Sequence, residues 1–208
     1  MALIDDIVLG LDNALKTLAA KPQAARSNPA ESVPEAAMSA DQRQHAAGLM
    51  RVNHTGEICA QALYEGQALT ARDQQTRASL VQAAQEETDH LAWCEERLTE
   101  LDARPSVLNP LFYAASYAMG AVTGLLGDKV SLGFVEATED QVCRHLESHM
   151  ASLPPEDERS RCIVEQMHED EARHGADALE AGGIEFPRAV KDAMSVASRV
   201  MTETTYKF

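Results

Sequence analysis

Glu171-Ala172-Arg173-His174 and its near twin Glu87-Thr88-Asp89-His90 decide how this chain folds. A Glu and a His three residues apart lie on one face of a helix, one turn apart. With 20 Glu and 7 His in 208 residues, about one such pair is expected by chance, and a third, Glu165-Gln166-Met167-His168, is present. Position separates the first two from noise. Glu171 and His174 fall on the apolar helical stripe Val164, Met167, Glu171, His174, Ala178. Glu87 and His90 fall on Leu80, Ala83, Glu87, His90, Cys94, Leu98, Leu101. A carboxylate on a core-facing stripe is costly unless it is paired or binds a metal.

Two more glutamates share this placement. Glu139 lies within Leu132, Val135, Glu139, Val142, Leu146, Met150, and Glu57 lies near Met50, His54, Ala60 and Tyr64. Glu57 and Glu87 are symmetric about Arg72, beside Arg72-Asp73-Gln74-Gln75; Glu139 and Glu171 are symmetric about Pro155, in Pro154-Pro155. A turn at each centre brings its two glutamates to equal height in an antiparallel helix pair. Two helices giving one Glu and two giving Glu-x-x-His is the ligand pattern of ferritin-like di-iron bundles. The sequence therefore predicts an all-α, ferritin-like four-helix bundle holding two iron ions. By the symmetry of the duplication, Glu57 and His90 serve one iron and Glu139 and His174 the other, with Glu87 and Glu171 bridging. Carboxylate and imidazole suit manganese as well as iron. Shifting the site to Glu165 and His168 would put Trp93, Cys94, Leu80 or Val81 opposite them, so that pair is excluded. His145 and Asp140 are candidates for orienting the ligands, and His54 and Tyr64 for bordering the site; solvated positions are equally open for these four.

Composition agrees. Aromatics are 4% and the hydrophobic fraction 45%, which favours one helical domain with a sizeable core. A net charge of −15 argues against nucleic acid and against anchoring by a basic patch. Cys59, Cys94, Cys143 and Cys162 are scattered without Cys-x-x-Cys and read as reduced core residues.

Along the chain, Leu3, Ile4, Ile7, Val8, Leu11, Leu15 and Leu18 predict an amphipathic helix over 3–19, packed on the bundle or facing a membrane or partner. Residues 21–38 read as a linker, so 1–39 form an N-terminal helix and linker and 40–208 the bundle. Ser39-Ala40-Asp41-Gln42 is a capping box for a helix over 40–73. Further helices are expected over 76–103, 128–152 (capped by Asp128 or Ser131), 156–181 (ending at Gly182-Gly183) and 187–203. Between Arg104 and Asp128 no residue is charged. A membrane span there would separate Glu87 from Glu139 across the bilayer, so residues 107–126 read as a hydrophobic crossover, buried or dipping into one leaflet. Gly120-x-x-x-Gly124 fits close helix packing.

Several stretches together resemble the demethoxyubiquinone hydroxylases of ubiquinone biosynthesis: Arg51-Val52-Asn53-His54-Thr55-Gly56-Glu57 followed by Tyr64-Glu65-Gly66-Gln67, Glu87-Thr88-Asp89-His90-Leu91, Arg104-Pro105-Ser106, Gly127-Asp128-Lys129, Thr138-Glu139-Asp140-Gln141-Val142 and Glu171-Ala172-Arg173-His174. The similarity covers residues 40–208. It implies a membrane-associated di-iron monooxygenase that hydroxylates the ring of a demethoxy polyprenyl benzoquinone with O2. It implies the same six ligands, Glu57, Glu87, His90, Glu139, Glu171 and His174, and reduced nicotinamide (NADH) as electron source, although no Gly-x-Gly-x-x-Gly is present. Accessory proteins of ubiquinone biosynthesis and a second copy of the chain are compatible partners. The chain length and the lack of a transit peptide or a basic signal n-region point to a peripheral protein on the cytoplasmic face of a bacterial plasma membrane. The competing readings are a ferritin-like iron oxidase or store, another di-iron or di-manganese enzyme, and a metal-free helical adaptor.

Overall fold

The computed structural model describes residues 3–207, with side chains from Val8 onward. Among these there are seven helices and no strand: α1 (Leu3–Ala19), α2 (Ala40–Thr70), α3 (Gln74–Glu100), α4 (Asn109–Leu125), α5 (Asp128–Ser152), α6 (Glu158–Glu180) and α7 (Arg188–Thr205). Helices α2 and α3 form one antiparallel hairpin and α5 and α6 the other. The two turns fall where the glutamate spacing put them, at 71–73 and 153–157. The architecture is thus the expected four-helix bundle with a crossover helix and a C-terminal helix. Two apolar clusters fill its interior. One, around Met50, Trp93, Leu98, Leu146, Val164 and Met167, lies toward the Pro154-Pro155 turn. The other, around Tyr64, Leu80, Leu132, Val135 and Ala178, lies toward the opposite end.

Local chemistry fixes the helix ends. The capping box is formed: Ser39 Oγ accepts from Gln42 N at 3.2 Å and Gln42 Oε1 accepts from Ser39 N at 2.9 Å. Asp73 and Asp157 cap α3 and α6 by accepting from Thr76 N and Ser160 N. Gly182 follows α6 at φ +100°, the left-handed turn that glycine tolerates. The expectation for α5 was different. Neither Asp128 nor Ser131 caps it; Gly127 stands at the N-cap with φ 116°. Asp128 instead accepts from Arg72 N at 3.0 Å and Asp73 N at 2.9 Å, tying the α2–α3 turn to the start of α5. Its carboxylate satisfies two turn amides that have no helical partner.

Helix α4 lies against α2 with almost no side chain between them. A Cβ at Gly120 would sit 2.1 Å from Leu63 O, and one at Gly66 2.2 Å from Tyr117 O. Only backbone fits there, and Gly120-x-x-x-Gly124 supplies it. The opposite face of α4 is apolar and bare, with Leu111, Met119, Val122 and Leu125 exposed. No helix among the described residues is long and apolar enough to cross a membrane.

Helix α1 packs on the same side. Ala14 and Leu18 join Ile58, Ala62, Leu91, Tyr113 and Tyr117, and Thr17 Oγ1 donates to Gln61 Oε1 at 2.7 Å. Val8, Leu11 and Leu15 remain outside, so α1 both packs on the bundle and presents an apolar stripe. Leu3, Ile4 and Ile7, expected on the same stripe, have side chains outside the described ones.

Residues 21–38, expected as a linker, are a strap drawn across α3 and α6. Ala30 is fully buried. Arg26 pairs with Asp89 and Asp170, and Glu35 pairs with Arg97, which is itself buried against Asp157. No periodic apolar pattern betrays such a segment; it is held by single ion pairs to distant helices.

Candidate metal centre

The stripes that carry the six candidate ligands are inward because each helix buries its apolar face, and each acid sits on it. Glu57 (α2), Glu87 and His90 (α3), Glu139 (α5), and Glu171 and His174 (α6) are all buried, none more than 7% exposed. Glu57, Glu87, His90 and Glu171 offer donor atoms all within 4.8 Å of one another, a spacing that can hold a cation. His90 Nδ1 lies 3.0 Å from Glu87, 3.1 Å from Glu171 and 3.5 Å from Glu57. His174 Nδ1 lies 3.2 Å from Glu171 and 3.3 Å from Glu87. Both histidines therefore turn the same nitrogen to the same two central glutamates. Glu57 flanks the His90 side. Glu139 flanks the other, where Tyr64 Oη donates to it and the Tyr64 ring meets His174 edge-on.

Four carboxylates in a dry bundle repel one another and want a counter-charge. Burial and the neighbouring carboxylates push Glu57 and Glu139 well above the ordinary carboxyl range. Burial works the same way on Glu87, but His174 and His90 outweigh it and hold Glu87 low. His174, against its burial, is raised to about 12 by Glu171 and Glu87. Two carboxylate oxygens, Glu87 Oε1 and Glu139 Oε2, are buried without a hydrogen bond; the 3.3 Å approach of His174 Nδ1 to the former is an ion-pair contact only. Unsatisfied buried carboxyl oxygens of this kind call for a cation. The donor set, hard oxygens with two imidazoles, fits iron or manganese.

The orienting partners are not those expected. His145 packs against His149, with ring centroids 3.9 Å apart and the planes tilted by 59°, and Asp140 pairs with Arg144 and Lys191 at the surface. The residues that hold the two histidines are Asp170, which meets His90 Nε2 at 2.9 Å, and Glu86, which meets His174 Nε2 at 2.9 Å. A carboxylate accepting from one ring nitrogen fixes the other as the metal donor. The sequence does carry a signal for them: each precedes a central glutamate, in Glu86-Glu87 and Asp170-Glu171. One helical step is about 100°, which turns that acid toward the facing hairpin. Of the two bordering candidates, Tyr64 touches Glu139. His54 is buried near Asn109 and 3.9 Å from Glu95. The excluded pair stays out: Glu165 is exposed and His168 pairs with Glu147 at 3.3 Å.

A cleft of about 260 Å³ between α3, α5 and α6 reaches the centre, lined by Leu80, Ala83, Leu132, Val135, Tyr64 and His174, with Glu86 and Arg173 also on its wall.

The family model described as Ubiquinone biosynthesis protein COQ7 matches residues 44–205. The chain is 56% identical to the 3-demethoxyubiquinol 3-hydroxylase of Azotobacter vinelandii over 98% of this chain and 95% of the relative. It is 57% identical to the protein of that name in Pseudomonas fluorescens Pf-5 and 55% identical to that in Stutzerimonas stutzeri, with the same coverage.

Proposed function

The chain belongs to the COQ7 family of ubiquinone biosynthesis proteins, and we propose that it is a di-iron 3-demethoxyubiquinol 3-hydroxylase working at a membrane surface. The observation that carries this reading is the convergence of Glu57, Glu87, His90, Glu139, Glu171 and His174 from four helices into one buried cluster with unpaired carboxylate oxygens. Glu87 and Glu171, each facing both histidines, are the bridging candidates. Glu57 with His90, and Glu139 with His174, complete the two positions. Two ferrous ions held there would supply the means to activate O2, one oxygen atom entering the ring C–H bond and the other leaving as water with two electrons and two protons. Reduced nicotinamide is the proposed electron source.

The chain's own residues set the rest. Tyr64 holds Glu139 by its phenolic proton. The two apolar clusters close the bundle above and below the centre and keep water away from the reacting atoms. The cleft beside His174 is the proposed approach for the quinol ring, whose head needs a narrow, mostly apolar slot with a few polar groups. Its polyprenyl tail is far more apolar and stays in lipid. The bare faces of α4 and α1 are the proposed lipid contact. Helix α4, 17 residues long, is about 25 Å at 1.5 Å per residue, short of a span, so it would lie in one leaflet as a monotopic element does. The cytoplasmic face of a bacterial plasma membrane is the proposed location.

The test is metal content and turnover of the purified chain with ferrous iron, O2 and a short-chain demethoxyquinol. Two irons per chain with ring hydroxylation are expected. Two irons without hydroxylation but with growth of a mineral core would replace this reading by an iron store. No stoichiometric metal would remove the di-iron reading altogether.

A further inference from the structure

The carboxylates behind the two histidines of the centre share one donor, Arg173 Nη2, but only the one behind His90 is also held from outside the bundle helices. His174 Nε2 meets Glu86, which is held by Arg173 at 3.0 Å and Gln82 at 3.1 Å. All four residues lie on α3 and α6. His90 Nε2 meets Asp170 Oδ2, and the same oxygen accepts from Arg26 Nη1 at 2.7 Å. Arg26 belongs to no bundle helix; it comes from the strap. Its Nε donates to Asp89 Oδ2 at 2.6 Å, its guanidinium lies 4.9 Å over the Trp93 ring, and its Nη2 stands 3.4 Å from His90 Nε2. The strap backbone joins in: Ala25 N donates to Asp89 Oδ1 at 2.6 Å. Further along, Asn28 donates to Glu96 and Glu35 pairs with Arg97.

We propose that Arg26 is a positioning residue for His90, so that the N-terminal strap sets the affinity and the electronic state of one of the two metal positions and leaves the other alone. This rests on the di-metal reading above. A guanidinium is a rigid planar fork with several donors. Here the fork spans Asp89 on α3 and Asp170 on α6 and locks the carboxylate that faces His90. Without it, Asp170 keeps Arg173 at 3.2 Å and Gln166 at 3.5 Å, both on its other oxygen and both pulling along α6. The Oδ2 that fixes the imidazole would lose its second anchor. A ligating histidine whose outer partner is loosened binds metal about 10- to 100-fold less tightly.

The experiment is anaerobic titration of the full chain with cobalt(II), read by its visible spectrum, and then loading with ferrous iron read by Mössbauer spectroscopy. In Arg26→Gln one binding step weakens about 10- to 100-fold while the other keeps the wild-type affinity, and one of the two iron signals shifts. Glu86→Gln weakens the other step. Arg26→Lys keeps the charge without the fork, so it gives the same selective loss at smaller size. If Arg26→Gln does not fold, Arg26→Lys decides. Two unchanged steps in a folded variant, or equal loss at both, overturn the proposal. A wild-type chain that takes up no stoichiometric metal would instead overturn the di-metal reading beneath it.

Discussion

Replacing Leu111 and Leu125 together by Asp tests the proposed lipid contact at the two most exposed large apolar side chains of α4. Both belong to the bare face of α4, at 65% and 63% exposure. Full burial of a leucine is worth about 1.5–3 kcal/mol. About two-thirds of that surface is exposed, so on the proposed contact each would contribute about 1–2 kcal/mol of partition and the pair about 2–4 kcal/mol. At about 1.4 kcal/mol per tenfold, the double variant should bind vesicles roughly 30- to 700-fold less tightly. The fold should survive, because neither side chain contributes to the core; the unfolding free energy in urea should fall by no more than about 1 kcal/mol. The net charge of −15 sharpens the expectation. Attraction to anionic lipid is the wrong sign, so wild-type binding to zwitterionic vesicles should persist at high salt, where charge contacts are screened. The assay is co-sedimentation with such vesicles. The matched control is Val196→Asp with Val200→Asp on α7, at 65% and 61% exposure. Unchanged binding in the α4 variant, or equal loss in the α7 control, would refute the assignment of this face to lipid.

Three further outcomes concern stability. Gly120→Ala should cost at least about 1–3 kcal/mol, because its Cβ would sit 2.1 Å from Leu63 O. Gly56→Ala, whose Cβ meets nothing within 4 Å, should stabilise by about 0.5–1 kcal/mol; urea unfolding that showed the two alike would contradict the close α2–α4 contact. His149 is buried and held neutral: burial, then His145 and His45, depress it to about 3. Its contribution is therefore intact above the unfolded value near 6.5 and is lost as pH falls from there toward 3, so by pH 5 wild type should lose on the order of 2 kcal/mol more than His149→Gln. Parallel pH profiles for the two would remove His149 from the account. Arg97→Met should cost about 3–5 kcal/mol, since it strands Asp157, 1% exposed and 2.8 Å away, and a loss under 1 kcal/mol would show that Asp157 finds another partner.

The sequence by itself determined every helix except α4, which it gave only as a hydrophobic crossover, the pairing of the hairpins and the inward placement of the six candidate ligands. These are written in local code. An apolar stripe repeats with the helical period, a carboxylate on that stripe declares itself against it, and equal spacing about Arg72 and Pro155 sets equal height. Side-chain partners from facing helices were only half legible. The acids before Glu87 and Glu171 were visible as a repeated pair, but their grip on His174 and His90 depends on which helix faces which, and His145 and Asp140 were equally acidic or basic neighbours on paper. The strap was not legible at all. Residues 21–38 have no period, and their order comes from Arg26 reaching Asp89 and Asp170 and from Glu35 reaching Arg97, contacts 60 or more positions away in the chain. The bare faces of α1 and α4 were likewise decided in three dimensions. An apolar helix face reads the same whether a core or a membrane covers it, and only the packing of Gly120 on Leu63 and of Leu18 on the bundle left Leu111, Leu125, Leu11 and Leu15 outside.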